Sequence, residues 1–477
     1  MALVAGVDSS TQSTKVELRE VESGALVARA QASHPPTTPP VSEQDPRAWW
    51  DALAACFDQL GDHRADVTGI SVAGQQHGLV LLDEAGEPVR PAKLWNDTTS
   101  APQADALVAT AGSARWAQGC GSVPVAAFTV TKLAWVLENE PELARRVARV
   151  MLPHDYLTWR LSGAHVTDRG DASGTGWFDP TEDAYVGGLL DLVAPSVDWM
   201  DRLPFVLGPT DPAGSLTSDA ATALGLGTAV VVGPGTGDNM GAALGLGLGH
   251  GDLVMSLGTS GTVYGVSTVG TADTSGAVAG FADAAGSFLP LVCTLNATKV
   301  TDTVARWLGT DAPGLADLAL STTARPDGPI LVPYFDGERT PNLPDATGTF
   351  VGLRNDTTRE DLALAAHDGV VCGLLAGVDA LADAGVEHTG RLMLIGGGAR
   401  SAAYRRRVAS LSGTDIVVPD ADETVATGAA VQAAAVAAAR PIADVTAAWE
   451  LGAGTTVATE PDTGDTRARY QSAAATG

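Results

Sequence analysis

Short apolar runs broken by small polar residues set the rhythm of the chain. Residues 3–7 form such a run, and the pattern predicts a strand. The run ends at Asp8, and six small polar residues and Lys15 follow it. A second strand over 14–20 pairs with the first through this polar turn, and a third covers 24–31. Pro35, Pro36, Pro39 and Pro40 then make an extended crossing segment. Residues 49–61 have helical periodicity, residues 67–72 and 79–82 read as strands around the loop 73–78, and 131–150 reads as helix. The opening pattern returns late. An apolar β-rich run over 228–232 leads into the loop 233–239, and a strand over 253–257 leads into GTSGT at 258–262. A strand over 392–395 precedes GGGARS at 396–401, after which a helix starts. Strand, small polar turn, strand thus occurs near both Asp8 and Thr259, as in two halves built alike. Mixed strands and helices predict α/β layers. The boundary falls near residue 243, giving domains over 1–243 and 244–445 and a weakly patterned tail over 446–477.

Composition narrows the classes. The 477 residues, 45% apolar and 18% charged, suffice for two or three domains and a large core. The net charge of -27 repels nucleic acid and anionic membrane surfaces, which excludes both as expected partners. The four cysteines, Cys56, Cys120, Cys293 and Cys372, are scattered and form no C-x-x-C pair. They read as reduced thiols of a cytoplasmic protein. No basic stretch followed by an apolar one opens the chain. The alanine-rich stretch 427–439 is too short to span a bilayer, which takes about 20 residues, so it reads as a buried helix.

The polar loops carry the candidate chemistry. DSSTQSTK at 8–15 offers main-chain N–H groups, hydroxyls and a lysine, the donors of an anion site. Its spacing is not G-x-x-x-x-G-K-[ST], which excludes a Walker loop. An ordinary hairpin turn is the bland alternative. Asp8 beside phosphate would need a cation between them, and Mg²⁺ binds through one or two carboxylates plus phosphate oxygens and water. GTSGT at 258–262 and the glycines Gly396, Gly397 and Gly398 are further places for close backbone approach. In GTGDN at 235–239, Asp238 follows a strand end, where it could accept a proton from an attacking hydroxyl; helix N-capping is the alternative. Gln76 and His77 in GQQHG at 74–78 could bind a polyol through amide and imidazole.

Together these residues resemble the FGGY family of carbohydrate kinases, from Asp8 to about residue 439. The first family signature is matched by FTVTKLAWVLEN at 128–139, with Ala127 at its opening position. The second is matched by GTFVGL at 348–353, DL at 361–362 and AAHD at 365–368, with His367 where an aliphatic or aromatic residue is usual. GQQHG, LWND at 94–97, PHDY at 153–156, DRGDASGTG at 168–176 and GERTP at 337–341 resemble the members acting on D-xylulose. Thr98 and Thr99 follow LWND where those members often have arginine. The resemblance implies two actin-like ATPase (ribonuclease H-like) α/β domains with a catalytic cleft that closes on its substrates. The N-terminal domain would carry the sugar and the C-terminal one the nucleotide.

It further implies ATP and Mg²⁺ as cofactors and D-xylulose as the small-molecule substrate, with phosphorylation of its terminal hydroxyl. Asp238 matches the catalytic base. Gln76, His77, Asp238 and Asn239 match the sugar contacts, and Asp8 the acid near Mg²⁺. Thr11, Ser13, Lys15 and Thr259 match phosphate-loop positions, with Gly396, Gly397 and Gly398 on the nucleotide side. A homodimer is compatible with this family. Competing readings are a kinase for ribulose, glycerol or a sugar acid, a protein-directed actin-like ATPase, and a sugar-sensing pseudokinase.

Overall fold

Leu3–Ser9 is buried along its whole length, and the polar turn after it folds Ser13–Glu20 back as its antiparallel neighbour. The computed structural model describes residues 1–195, 197–421 and 423–475. The chain forms two compact units. The first comprises Met1–Leu248, Thr268–Leu289 and Ala421–Gly452, and the second Gly249–Ser267, Pro290–Asp420 and Ala453–Gly477.

In the first unit a seven-stranded mixed sheet runs Gly214–Ser215, Val231–Val232, Val67–Gly74, Leu3–Ser9, Ser13–Glu20, Leu26–Ser33, with Thr236–Gly237 also paired to Val67–Gly74. Pro46–Gln59 covers one face: Asp45 caps it, Pro46 fits its first turn, and Trp49, Trp50, Leu53, Cys56 and Phe57 are buried. The alanine-rich helix Val425–Ala437 packs against Leu3–Ser9 and Val67–Gly74. Gly6 makes this close approach possible, because a Cβ there would overlap the carbonyl oxygen of Ala426.

The second unit repeats the order. Its sheet includes Phe288–Thr294, Gly261–Gly265, Leu253–Leu257, Leu392–Ile395, Ile416–Pro419 and Gly454–Val457 in that sequence. A hairpin beside a parallel strand thus recurs, as the repeated turn pattern predicts. The long helix Arg359–Asp383 has the length and apolarity to cross a membrane, but it is mostly buried as a core helix.

Three local expectations give way. The helix expected over 131–150 is Thr129–Asn139, then Pro141–Ala144, then a strand at Arg149–Met151. Pro141 has no N–H to continue the first helix and instead opens a second. The strand expected over 228–232 shrinks to Val231–Val232. The tail is structured: Gly454–Val457 joins the second unit's sheet, and Tyr470 on Thr466–Ala474 is buried. Residues 421–452, meanwhile, return to the first unit.

Candidate active site

Strand register brings three sequence motifs to one sheet end. Asp8 and Ser9 pair with Ala73 and Gly74, and Thr236 and Gly237 pair with the same two residues from the other side. All three strands are parallel, so the Asp8 turn, the GQQHG loop and Asp238 lie at their carboxyl ends, where open α/β sheets bind ligands.

Asp8 lies opposite Lys15 in the hairpin. Lys15 Nζ donates to Asp8 Oδ2 at 3.2 Å and to Glu423 Oε2 at 2.6 Å, while the Ser10 hydroxyl donates to Asp8 Oδ1. Burial first, then the Glu423 charge, pushes the Asp8 carboxyl above its ordinary value despite the ammonium. Thr11 and Ser13 are engaged differently. Thr11 Oγ1 donates to Gln75 Oε1 at 3.1 Å and accepts from Trp95 Nε1 at 2.9 Å. Ser13 lies within the second strand and accepts from Gln31 Nε2 at 3.1 Å.

Asp238 opens the helix Asp238–Gly245. Its Oδ1 accepts from the main-chain N–H of Asn239 at 2.8 Å and from Asn239 Nδ2 at 3.2 Å, and the same Nδ2 donates to Gln76 Oε1 at 2.7 Å. The three side chains form one row, Gln76–Asn239–Asp238, that leaves Asp238 Oδ2 for another partner. Burial, then the charges of Asp8 and Asp171, raises the Asp238 carboxyl to about 7. His77 adopts a positive φ of 65°. Its Nδ1 is 2.7 Å from the Gly174 carbonyl oxygen, and its ring stacks on Phe128 at 4.9 Å with Phe281 at 5.5 Å.

Beneath this row sits a buried cluster. His154 Nδ1 is 2.7 Å from Asp171 Oδ2, and its Nε2 is 3.1 Å from Asp155 Oδ1 and 3.9 Å from Asp168 Oδ1. The three carboxylates outweigh the burial cost and hold the imidazole charged, its pKa raised to about 9. Asp168 accepts from the N–H groups of Gly170 and Asp171 and from Thr236 Oγ1 at 2.8 Å.

In the second unit, Thr259, Gly397 and Gly398 line one cavity of about 750 Å³, together with Arg400, Tyr404 and His367. Thr259 is exposed in the turn between Leu253–Leu257 and Gly261–Gly265. Gly396 has a φ of 87°, and a Cβ on it would meet the Leu257 carbonyl oxygen at 2.6 Å, so only glycine fits there. His367 gives its Nδ1 to the Ala363 carbonyl at 2.8 Å, and burial lowers its pKa to about 4, keeping it neutral.

Sequence reasoning did not single out Glu423, 408 positions from its partner Lys15, or assign a role to the His154 cluster. The segments carrying His154, Asp168 and Asp171 stood out only through the resemblance. Among the described residues, no group of three or more His, Cys, Asp or Glu side chains is placed to hold a metal ion.

The FGGY family of carbohydrate kinases matches through its N-terminal domain over residues 3–245 and its C-terminal domain over 253–437. The chain is 49% identical over 455 residues to the xylulose kinase of Streptomyces coelicolor, covering 95% of this chain and 92% of that one. It is 33% identical over 442 residues to the xylulose kinase of Haemophilus influenzae, covering 90% and 89%. The crystal structure of xylulose kinase from Bifidobacterium adolescentis matches with a TM-score of 0.89 and 42% identity over 100% of this chain and 99% of that one. Plasmodium falciparum glycerol kinase, at 20% identity, shares the fold with a TM-score of 0.90 over 100% and 98% of the chains. The mixed sheets of the two units are those of the actin-like ATPase fold. By sequence over nearly its whole length and by fold, the chain belongs to the FGGY family of carbohydrate kinases, enzymes that phosphorylate sugars with ATP.

Proposed function

We propose that the sugar is D-xylulose, that the product is D-xylulose 5-phosphate, and that Asp238 is the general base. The observation that carries this reading is the row Gln76–Asn239–Asp238 at the sheet end. It presents amide groups suited to a polyol beside a carboxylate with one free oxygen. Kinship with kinases named for xylulose supplies the ketose.

In this mechanism Gln76, His77 and Asn239 hold the sugar with its terminal hydroxyl against Asp238 Oδ2. The hydroxyl proton passes to that oxygen. The sugar oxygen bonds to the γ-phosphorus, the bond from that phosphorus to the bridging oxygen breaks, and ADP leaves. A base with a pKa near 7 is suited to this transfer at neutral pH. Thr11, Ser13 and Lys15 on the first unit and Thr259 and the three glycines on the second are the groups assigned to the nucleotide. The sugar then belongs to the N-terminal unit and the nucleotide base to the cavity of the C-terminal one.

Mg²⁺ fits Asp8. Asp8 and Glu423 already share one cation, the Lys15 ammonium, and an ion that binds through one or two carboxylates plus phosphate oxygens needs no all-protein cage. When bound there, Mg²⁺ neutralises charge on the phosphates.

The test is an ADP-release assay across D-xylulose, ribulose, glycerol and sugar acids, with the Asp238→Asn variant alongside. D-xylulose should give the highest kcat/KM. Asp238→Asn should lose at least about a hundredfold in kcat while still binding ATP. Preference for another acceptor would overturn the substrate, and near-normal turnover of the variant would overturn the base. Sugar binding without ADP release would make the protein a sensor.

A further inference from the structure

We propose that the buried His154–Asp171 pair is the positioning unit of this site: it holds the Gln76 amide and, through Asn239, the Asp238 carboxylate in the orientation that accepts the sugar's proton. The inference rests on Asp238 being the base.

The geometry points there because the pair is buried beside the Gln76 amide, which is tied in turn to Asn239 and Asp238. His154 and Asp171 are completely buried and 2.7 Å apart. Gln76 is also buried and interacts with Asp171 through its side chain. Gln76 Nε2 and Asp171 Oδ1 are both buried and neither has a hydrogen-bond partner, so a donor and a charged acceptor are left to satisfy each other electrostatically. The other end of the Gln76 amide, Oε1, is taken by Asn239 Nδ2, which also serves Asp238 Oδ1. An amide has one donor end and one acceptor end, so an anion on the Asp171 side sets which way Gln76 faces. Were the amide reversed, its NH₂ would confront Asn239 Nδ2, and the row to Asp238 would break.

Glycines leave these side chains the room they occupy. A Cβ on Gly237 would lie 2.6 Å from Gln76 Cγ, and one on Gly74 would lie 2.9 Å from His154 Cβ. One on Gly235 would overlap the His154 ring. A buried imidazolium and carboxylate at such a place are costly unless paired, which they are.

The charged groups facing Asp238 are Asp8 from Leu3–Ser9 and Asp171 from Arg169–Ala172. Lys15 and Glu423 act behind Asp8, and His154 behind Asp171. The helix Val425–Ala437 contributes only neutral groups: Thr427, bonded to Glu17 and the Glu423 carbonyl, and Gln432, bonded to Ser71 and the Gly235 carbonyl. Asp171 raises the Asp238 pKa, so removing its charge lowers that pKa and weakens the base.

The test is the variant Asp171→Asn, with kcat/KM for D-xylulose measured across pH and KM measured for ATP. The acidic limb of the profile should move to lower pH, and kcat should fall about tenfold or more, with KM for ATP unchanged. An unmoved limb overturns the inference whatever happens to kcat, since a merely structural loss leaves the pKa of Asp238 where it was. Should Asp171→Asn fail to fold, Gly237→Ala decides. It displaces Gln76 without touching the buried charges, and it should raise KM for the sugar and lower kcat with the limb in place. Wild-type kinetics in Gly237→Ala would overturn the inference. Failure of the base assignment itself shows elsewhere, as retained turnover in Asp238→Asn.

Discussion

Asp238 stands in the first turn of a helix, where the macrodipole favours a negative charge by about 0.3–1 kcal/mol, less than one pKa unit. Burial and two nearby carboxylates act the other way and win, raising its pKa from 3.8 to about 7. The sign of the consequence is fixed. The base must be ionised to take a proton, so kcat/KM should fall as pH drops below about 7, roughly tenfold per unit once well below it. A kcat/KM profile for the free enzyme checks this; a limb near the ordinary carboxylate value of about 4 would show that Asp238 is not the titrating base. Asp238 was legible in sequence because it ends a small-residue loop after an apolar run. Glu423 was not, since nothing local links it to Lys15. Asp8 looked out of place in a hydroxyl-rich turn until the hairpin set Lys15 opposite it. Thr11 matched a phosphate-loop position through the resemblance; that its hydroxyl also joins Gln75 and Trp95 was not legible, since only the fold creates that pairing.

Asp238 is carried by a short helix, and that helix is placed by glycines. Asp238–Gly245 packs on Val425–Ala437, and both lie in the first unit. A Cβ on Gly428 would overlap the Gly241 carbonyl oxygen, and one on Gly245 would overlap that of Thr424. Backbone thus meets backbone, with no flexible side chain to yield. Gly428→Ala should therefore force the helices apart, destabilising the protein by about 1–3 kcal/mol in denaturant unfolding. It should also lower kcat by up to about a hundredfold, because a shift near 1 Å at Asp238 misplaces the base. Unchanged stability and turnover would show that the contact has slack. Elements with strong local patterns were readable: Leu253–Leu257 and Leu392–Ile395 match their expected bounds. The alanine-rich helix was foreseen as buried, but not its return to the first unit, because small residues show that a helix is packed without showing against what. The long helix read over 131–150 failed at Pro141, where apolar periodicity persists across a break in hydrogen bonding.

At the scale of the whole molecule, one topology is used twice with different chemistry at the hairpin. In the first unit the hairpin carries Asp8 and Lys15, beside a strand that leads to GQQHG. In the second it carries Thr259, beside a strand that leads to Gly396–Gly398 and a cavity of about 750 Å³. The acid, the amides and the base lie on the first copy, and the large cavity on the second. This division predicts separate protection by the two substrates. A ligand at a hundred times its Kd stabilises what it binds by about 2.7 kcal/mol, enough to slow amide exchange that needs its release by roughly a hundredfold. D-xylulose alone should slow exchange at residues 74–78 and 236–239. A non-hydrolysable ATP analogue alone should slow it at 258–261 and 396–401. Hydrogen exchange followed peptide by peptide reads both at once. Protection of 396–401 by the sugar alone, or of 236–239 alone by the nucleotide analogue, would reverse the assignment of sugar to the first unit and nucleotide to the second.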